Sequence, residues 1–428
     1  MTLGRNFGFE TRMVHAGHVP DPAVGARAVP IYQTTSFVFD DAEMAAQLFE
    51  LKQYGNIYTR LGNPTTAVLE ERLASLEGAA GAVAVASGMA AQFVALMTLL
   101  APGDELVASS QLYGGTVTQL THTLKKLGIT TRFVDPSNLA AWEAAITPKT
   151  RALYGETIGN PSGRILDIER ISSLARSHGI PLIVDSTFAT PYLCRPIEHG
   201  ATIVTHSATK FIGGHGTSLG GVVLESGTFD YSSFPTIADP SPSYHGLKFF
   251  ETFGLYAFLM KVRAETVRDV GACISPTNAF LLLQGLETLS LRMERHVANA
   301  LEVARFLAGH AKVAWVAYAG LPDHPDHALA KKYTPRGPGA VFSFGLKTTG
   351  DVREAGKRFI DGLQLFSHLA NVGDARSLVI HPGSTTHQQL SDAELQAAGI
   401  GPELIRLSVG LETSADLLWD LDRALAVL

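Results

Sequence analysis

Cysteine is nearly absent, with only Cys194 and Cys273 in 428 residues. The two lie far apart and form neither a metal-type pair nor a disulfide framework, so a reducing compartment is expected. Excess positive charge is also missing, because 40 acidic residues outnumber 34 basic ones for a net charge of -6. That argues against nucleic acid as a partner, and none is expected. No run of 18 or more apolar residues occurs, and the start, Met1-Thr2-Leu3-Gly4-Arg5-Asn6, has no signal-peptide core. No membrane association and a cytoplasmic location follow as expectations. Internal repeats and low-complexity tracts are lacking too. With 46% hydrophobic and 17% charged residues, the chain has material for two packed domains of a soluble globular protein.

What is present is first of all alternation. Asn63-Pro64 opens a helix with a capping side chain followed by proline at its first position, and Gly78 closes it after Leu69, Leu73 and Leu76. Apolar strands are then expected at Ala82 to Ala86, Glu105 to Ser109, Ile129 to Val134, Arg151 to Tyr154, Leu182 to Val184, Ile203 to Thr205 and Val222 to Leu224. Helical segments fall between them, at Gly88 to Leu100, Gly115 to Leu127, 138 to 145 and 167 to 178. Such a pattern predicts an α/β fold with a mostly parallel seven-stranded sheet covered on both faces. In such sheets ligands bind beyond the carboxyl ends of the strands.

The flanks read differently. Residues 1–62 show little periodicity and are expected to form an arm lying on another surface; if Tyr58 to Arg60 is extended, Tyr58 and Arg60 project to one side. Residues 63–270 make the large domain and 271–428 a smaller α+β domain. The latter opens on one long helix from Asn278 to about Leu307, followed by strands Val341 to Leu346, Gln364 to His368, Ser377 to Ile380 and Leu404 to Val409. A helix near 351 to 360 and a last one from about 414 complete it.

Chemistry concentrates at the strand ends. Ser87-Gly88-Met89 passes from strand straight into helix, where free amides and the positive helix end favour an anion. Tyr113 with Gly114 and Gly115 follows the next strand, and Asp185 ends Pro181-Leu182-Ile183-Val184. Lys210, in Ser207-Ala208-Thr209-Lys210, follows the strand ending at Thr205, where a desolvated amine serves as a phosphate clamp or a Schiff-base nucleophile. Ser207 to Lys210 also spells S-x-x-K, the nucleophile motif of acyl-enzymes. Its companions S-D-N and K-T-G are missing, the nearest approaches being Ser391-Asp392-Ala393 and Lys347-Thr348-Thr349-Gly350. A dinucleotide fingerprint is missing as well, since residues 86 to 91 read Ala-Ser-Gly-Met-Ala-Ala. Asp323-His324-Pro325-Asp326-His327 reads as a proline-containing loop rather than a metal site, and no metal is expected. His381 and His387 read as packing or loop-anchoring residues. Arg406, the only charge in Leu404 to Val409, is either an edge arginine or a fork for a carboxylate.

An amine, a strand-end carboxylate, an aromatic ring and a phosphate cup match the needs of pyridoxal 5'-phosphate: the lysine forms the Schiff base and the acid keeps the pyridine nitrogen protonated. The chain from about Thr11 onward resembles the cystathionine-type branch of the fold-type I pyridoxal-phosphate enzymes, and within it the O-acetylhomoserine sulfhydrylases. The motifs that carry the resemblance are Tyr58 to Pro64, Ser87-Gly88-Met89, Tyr113-Gly114-Gly115, Gly159-Asn160-Pro161, Val184 to Pro191, Ser207 to Gly216 and Arg406 to Gly410.

The resemblance implies that Lys210 carries the cofactor, Asp185 pairs with its ring nitrogen and Tyr113 stacks on the ring. It further implies that Gly88, Met89, Ser207 and Thr209 hold the phosphate, and that Tyr58 and Arg60 reach the phosphate of a neighbouring subunit. Asn160, Arg406 and Asn371 are implied for the substrate carboxylate. Ser186 and Gly383 stand where the branch usually has asparagine and alanine. Two segments, Ser232 to Phe253 and Asn371-Val372-Gly373-Asp374 running into His381 to Leu390, resemble the sulfhydrylases. The implied activity is γ-replacement on a small amino-acid substrate, O-acetylhomoserine, by sulfide, in a homo-oligomer built as a dimer of active dimers. A γ-lyase acting on cystathionine or methionine and a synthase using O-succinylhomoserine remain alternatives within the branch.

Overall fold

The computed structural model describes residues 6–382, 385 and 401–428. Seven strands form the first sheet: β1 (Gly81–Val85), β2 (Glu105–Ser109), β3 (Thr130–Val134), β4 (Thr150–Glu156), β5 (Leu182–Asp185), β6 (Ile203–His206) and β7 (Gly221–Glu225), in the order β1-β7-β6-β5-β4-β2-β3. Only β7 runs against its neighbours β1 and β6; the other pairings are parallel. Apart from the edge strand β3, which is mostly exposed, the strands are almost continuously buried, as an apolar run covered by helices on two faces requires. Two core clusters occupy the two faces, one with Leu69, Leu73, Val107 and Val184, the other with Val83, Val94, Leu106 and Ile183.

The second sheet contains β8 (Val313–Ala317), β9 (Val341–Leu346), β10 (Ser367–His368), β11 (Leu378–Ile380) and β12 (Leu404–Ser408), ordered β10-β11-β12-β9-β8. Strand β12 lies inside this sheet, paired on both sides, so Arg406 is not an edge residue.

Three expectations need correction. The helix expected from Asn278 to Leu307 is two helices, Pro276–Leu286 and Leu289–Ala308, because the backbone leaves helical geometry at Thr288 (φ -119°, ψ 13°). Strand β8 was not foreseen. The arm is not devoid of regular structure or of a core. It holds helices Phe9–His15 and Ala42–Phe49, the second capped by Asp41, and Phe9 and Met13 are buried in the main core. Beyond residue 20 the arm keeps an apolar and exposed face: Val38 is 97% and Tyr54 88% exposed.

Candidate active site

Five connections leave the carboxyl ends of the large sheet and meet at one cavity of about 240 Å³. After β1, the Ser87 hydroxyl caps helix Gly88–Leu99 by accepting from the Ala90 N–H at 3.1 Å. The earlier N–H groups, on Gly88 and Met89, belong to the first turn, which has no intrahelical acceptors. Gly88 must be glycine here, since a Cβ would lie 2.5 Å from the Ser207 Cβ. After β6, the Ser207 N–H donates to Thr187 Oγ1 at 2.8 Å, while Thr209 Oγ1 donates to the Gly220 carbonyl and accepts from its N–H. These contacts leave the helix end, Ser207 and Thr209 lining one end of the cavity.

Asp185 terminates β5 and is half-buried in the cavity wall. Its oxygens accept from the Thr187 N–H at 2.9 Å and from Thr205 Oγ1 at 3.4 Å. Burial raises its affinity for a proton above the ordinary carboxyl value, against the opposing pull of the Thr187 hydrogen bonds and of His206. A cation placed in the cavity would restore its charge. Ser186, behind it, accepts from Thr157 Oγ1 at 2.9 Å.

Lys210 is held at the centre. Burial, and then the neighbouring Arg406, pull its amine down to about 8. Nζ donates to Asn371 Oδ1 and not to Ser207, so the S-x-x-K pairing that an acyl-enzyme needs is not made. Arg406 projects from β12 with its Nη1 donating to Asn160 Oδ1 and its Nη2 to the Asn371 carbonyl, both at 3.2 Å. It is 9% exposed, and burial lowers it to about 10. Two of its five N–H groups are thereby engaged, and the fork is oriented for a carboxylate. The loop bearing Asn371 lies against the Lys210 backbone: a Cβ on Gly373, whose φ is +76°, would sit 2.6 Å from the Phe211 nitrogen. Behind Lys210, Arg292 donates to the carbonyls of Phe211 (2.7 Å), Ile212 (3.1 Å) and Gly285 (2.6 Å), which pins the turn.

Of the residues named from the sequence, Gly88, Met89, Tyr113, Asn160, Asp185, Ser207, Thr209, Lys210, Asn371 and Arg406 line this cavity. Tyr58 and Arg60 do not. Arg60 lies over the Tyr58 ring at 5.2 Å, at the exposed surface, in a turn that follows the isolated bridge of Tyr58 with Ser36 rather than in a strand. Sequence reading missed Gln92, Thr116 and Glu156, which also line the cavity. Gln92 accepts from Thr116 Oγ1 and the Tyr154 hydroxyl, both at 3.1 Å.

The other singled-out segments lie elsewhere. Asp326 forms a salt bridge with Arg164, and His327 bonds the Ala319 carbonyl at 2.9 Å, so this loop spends its side chains on structure. Tyr244, in the Ser232 to Phe253 segment, donates to the Ala264 carbonyl at 2.9 Å. His381 bonds the Pro402 carbonyl at 2.7 Å. His387 and most of the segment after Pro382 lie outside the described residues.

The residues present fit pyridoxal phosphate on three structural counts. A helix start that opens on glycine lines the cavity. A half-buried carboxyl that has no salt bridge among the described residues lines the same cavity, as do a half-buried amine and a forked arginine. The comparisons agree. The chain is 53% identical over 435 residues to the O-acetyl-L-homoserine sulfhydrylase of Leptospira meyeri, covering 99% of this chain and 98% of that one. It is 52% identical over 427 residues to the homocysteine synthase of Schizosaccharomyces pombe, covering 98% of each. A Campylobacter jejuni crystal structure that carries N'-pyridoxyl-lysine-5'-monophosphate superposes with a TM-score of 0.95 at 43% identity, covering 98% of this chain and all of that one. The model of the Cys/Met metabolism PLP-dependent enzymes matches residues 10–426, and the chain belongs to that family.

Proposed function

We propose that this protein catalyses γ-replacement on O-acetylhomoserine: sulfide, or methanethiol, displaces acetate to give homocysteine, or methionine. The observation that carries this reading is the convergence in one cavity of a depressed lysine, a half-buried strand-end carboxyl and a forked arginine. The 53% identity to an O-acetyl-L-homoserine sulfhydrylase along nearly the whole of both chains supports the choice of substrate.

In this reading Lys210 carries the cofactor, Gly88, Met89, Ser207 and Thr209 hold its phosphate, Tyr113 covers its ring and Asp185 faces its ring nitrogen. Bound pyridoxal phosphate supplies the electron sink that makes the substrate's Cα and Cβ protons removable. Arg406, with Asn160 and Asn371 setting its orientation, grips the substrate carboxylate. That grip places Cα beside Lys210 Nζ. The burial that lowers the amine to about 8 in the cofactor-free chain favours its neutral form, so Nζ would accept the Cα proton, pass it on to the cofactor–substrate system and then accept one from Cβ. Acetate leaves Cγ as the C–O bond breaks, and sulfide forms the C–S bond at the same carbon. Nζ returns the protons, so the exchange is redox-neutral.

Tyr58 and Arg60 are assigned to the phosphate of a neighbouring subunit. Their exclusion from their own chain's cavity and the exposed apolar face of the arm support this assignment. The smallest active unit is then a dimer, and two dimers make a tetramer. Among the described residues no helix is long and apolar enough to cross a membrane. With two free cysteines, a reducing cytoplasm is the proposed setting.

The test is product analysis. O-acetylhomoserine with sulfide should yield homocysteine faster than methionine or cystathionine alone yields α-ketobutyrate, and faster than O-succinylhomoserine yields homocysteine. Dominant α-ketobutyrate would make the protein a C–S lyase.

A further inference from the structure

Glu156 ends β4, is 8% exposed, and lines the cavity without having been given a role in the chemistry above. Its two oxygens are both used, and each by a different turn. Oε1 accepts from the Tyr113 N–H at 2.7 Å, and Oε2 from the Asn160 N–H at 3.2 Å. Tyr113 follows β2 and Asn160 follows β4, so one carboxyl joins the turn that carries the ring-facing aromatic to the turn that carries the arginine's partner. The two turns already approach closely, since a Cβ on Gly159 would lie 3.1 Å from the Gln111 carbonyl oxygen. In the strand register Glu156 stands opposite Asp185. Burial, and then Asp185, push its proton affinity well above the usual carboxyl range. Neutral or ionised, a carboxyl still offers an acceptor at both oxygens, whereas an amide offers only one.

We propose that Glu156 is a positioning residue: a two-point clamp that fixes Tyr113 and Asn160 at one spacing, and so couples the cofactor's aromatic cover to the substrate grip. The inference rests on the roles proposed above for those two residues. A clamp differs from a structural carboxyl in that its effects travel through two named partners.

Glu156→Gln keeps size and shape and converts one acceptor into a donor, so one of the two N–H groups loses its partner. The expected outcome is a KM for O-acetylhomoserine raised about tenfold, with kcat changed less, as loss of one buried hydrogen bond implies. The visible circular dichroism of the holoenzyme, which reports ring orientation, should weaken. The dissociation constant measured by titrating apoenzyme with pyridoxal phosphate should rise. In an Asn160→Ala background the KM effect of Glu156→Gln should shrink to under twofold, because the backbone N–H that Glu156 holds remains but the Asn160 side chain that carries its effect to Arg406 is already lost. Glu156→Asp, which keeps the carboxyl group but is too short to span both N–H groups, should show the same losses. It carries the test if the glutamine variant does not fold.

Full activity and dichroism in Glu156→Asp would overturn the clamp, because a carboxyl that cannot span both N–H groups would then suffice. An undiminished KM effect in the Asn160→Ala background would overturn it too, as would failure of both variants to fold. Wild-type protein that takes up no cofactor, or does not use O-acetylhomoserine, refutes the proposed function. Active wild type with unaffected variants refutes only the clamp.

Discussion

Replacing Lys210 by methionine should abolish turnover and yet stabilise the cofactor-free protein. The amine drops from its ordinary value of 10.5 to about 8, first through burial and then through Arg406. That difference corresponds to about 3 kcal/mol of cost for holding the ammonium in the folded chain. Because the folded value is the lower one, the unfolded chain binds more protons between the two. The cost is therefore complete below pH 8, shrinks as pH rises from 8 to 10.5, and vanishes above. Methionine has a similar length and no charge, so it removes the cost; it also removes the hydrogen bond to Asn371, worth about 1 kcal/mol. The net gain at pH 7 is about 2 kcal/mol, or about 2 °C in Tm for a chain of this length. Apoprotein prepared with hydroxylamine, wild type and Lys210→Met side by side, would be unfolded thermally at pH 7, 8.5 and 10 at equal protein concentration. The variant should melt higher at pH 7, and its lead should be lost by pH 10. A variant that melts lower at pH 7, or a lead that does not change with pH, would refute the argument that the lysine is held there at a cost.

Arg406→Lys should raise the KM for O-acetylhomoserine about 10- to 100-fold in steady-state assays, because an ammonium cannot reproduce the fork that Asn160 and the Asn371 carbonyl orient. An unchanged KM would release Arg406 from the substrate. Arg60→Ala should weaken cofactor retention by about 1.5 to 3 kcal/mol, and Lys210→Ala should abolish turnover. Mixed under subunit exchange, these two variants should recover activity above their sum, since some hybrid dimers hold one site with both residues intact; no recovery, with exchange confirmed by differential tags, would place Arg60 in its own chain's site.

The strand-end residues were legible because each closes an apolar run or opens a helix: Asp185 after Leu182 to Val184, Gly88 after Ser87, Lys210 beyond Ile203 to Thr205. Arg406 showed as the only charge in a strand, although whether that strand lay inside a sheet or at its edge required the pairing with β9 and β11. Asn371 came from resemblance alone. Glu156 was hidden because Gly155 interrupts the apolar pattern of β4; that glycine makes room for Leu166, whose side chain would lie 2.8 Å from a Cβ there. Arg292 reads in sequence as one more charge on an amphipathic helix, and only the fold turns it against the carbonyls behind Lys210. Thr288 breaks the expected long helix without a proline to announce it. Tyr58 and Arg60 were visible as a pair, but their turn follows from the bridge of Tyr58 to Ser36, a contact 22 residues away that no local pattern encodes.

The seating of Gly373 on the Lys210 backbone bears on how such a chain can diverge. On the proposed roles, the cofactor is served by residues of the large sheet, whereas the substrate carboxylate is held by Arg406 of the small sheet together with Asn160 of the large one. Drift in the small sheet can therefore reshape the surroundings of the substrate while the inherited cofactor chemistry stays whole. Gly373 is where that freedom ends, since any side chain there presses on Lys210 and Phe211. A lineage exploring new substrates can vary around this contact far more readily than through it.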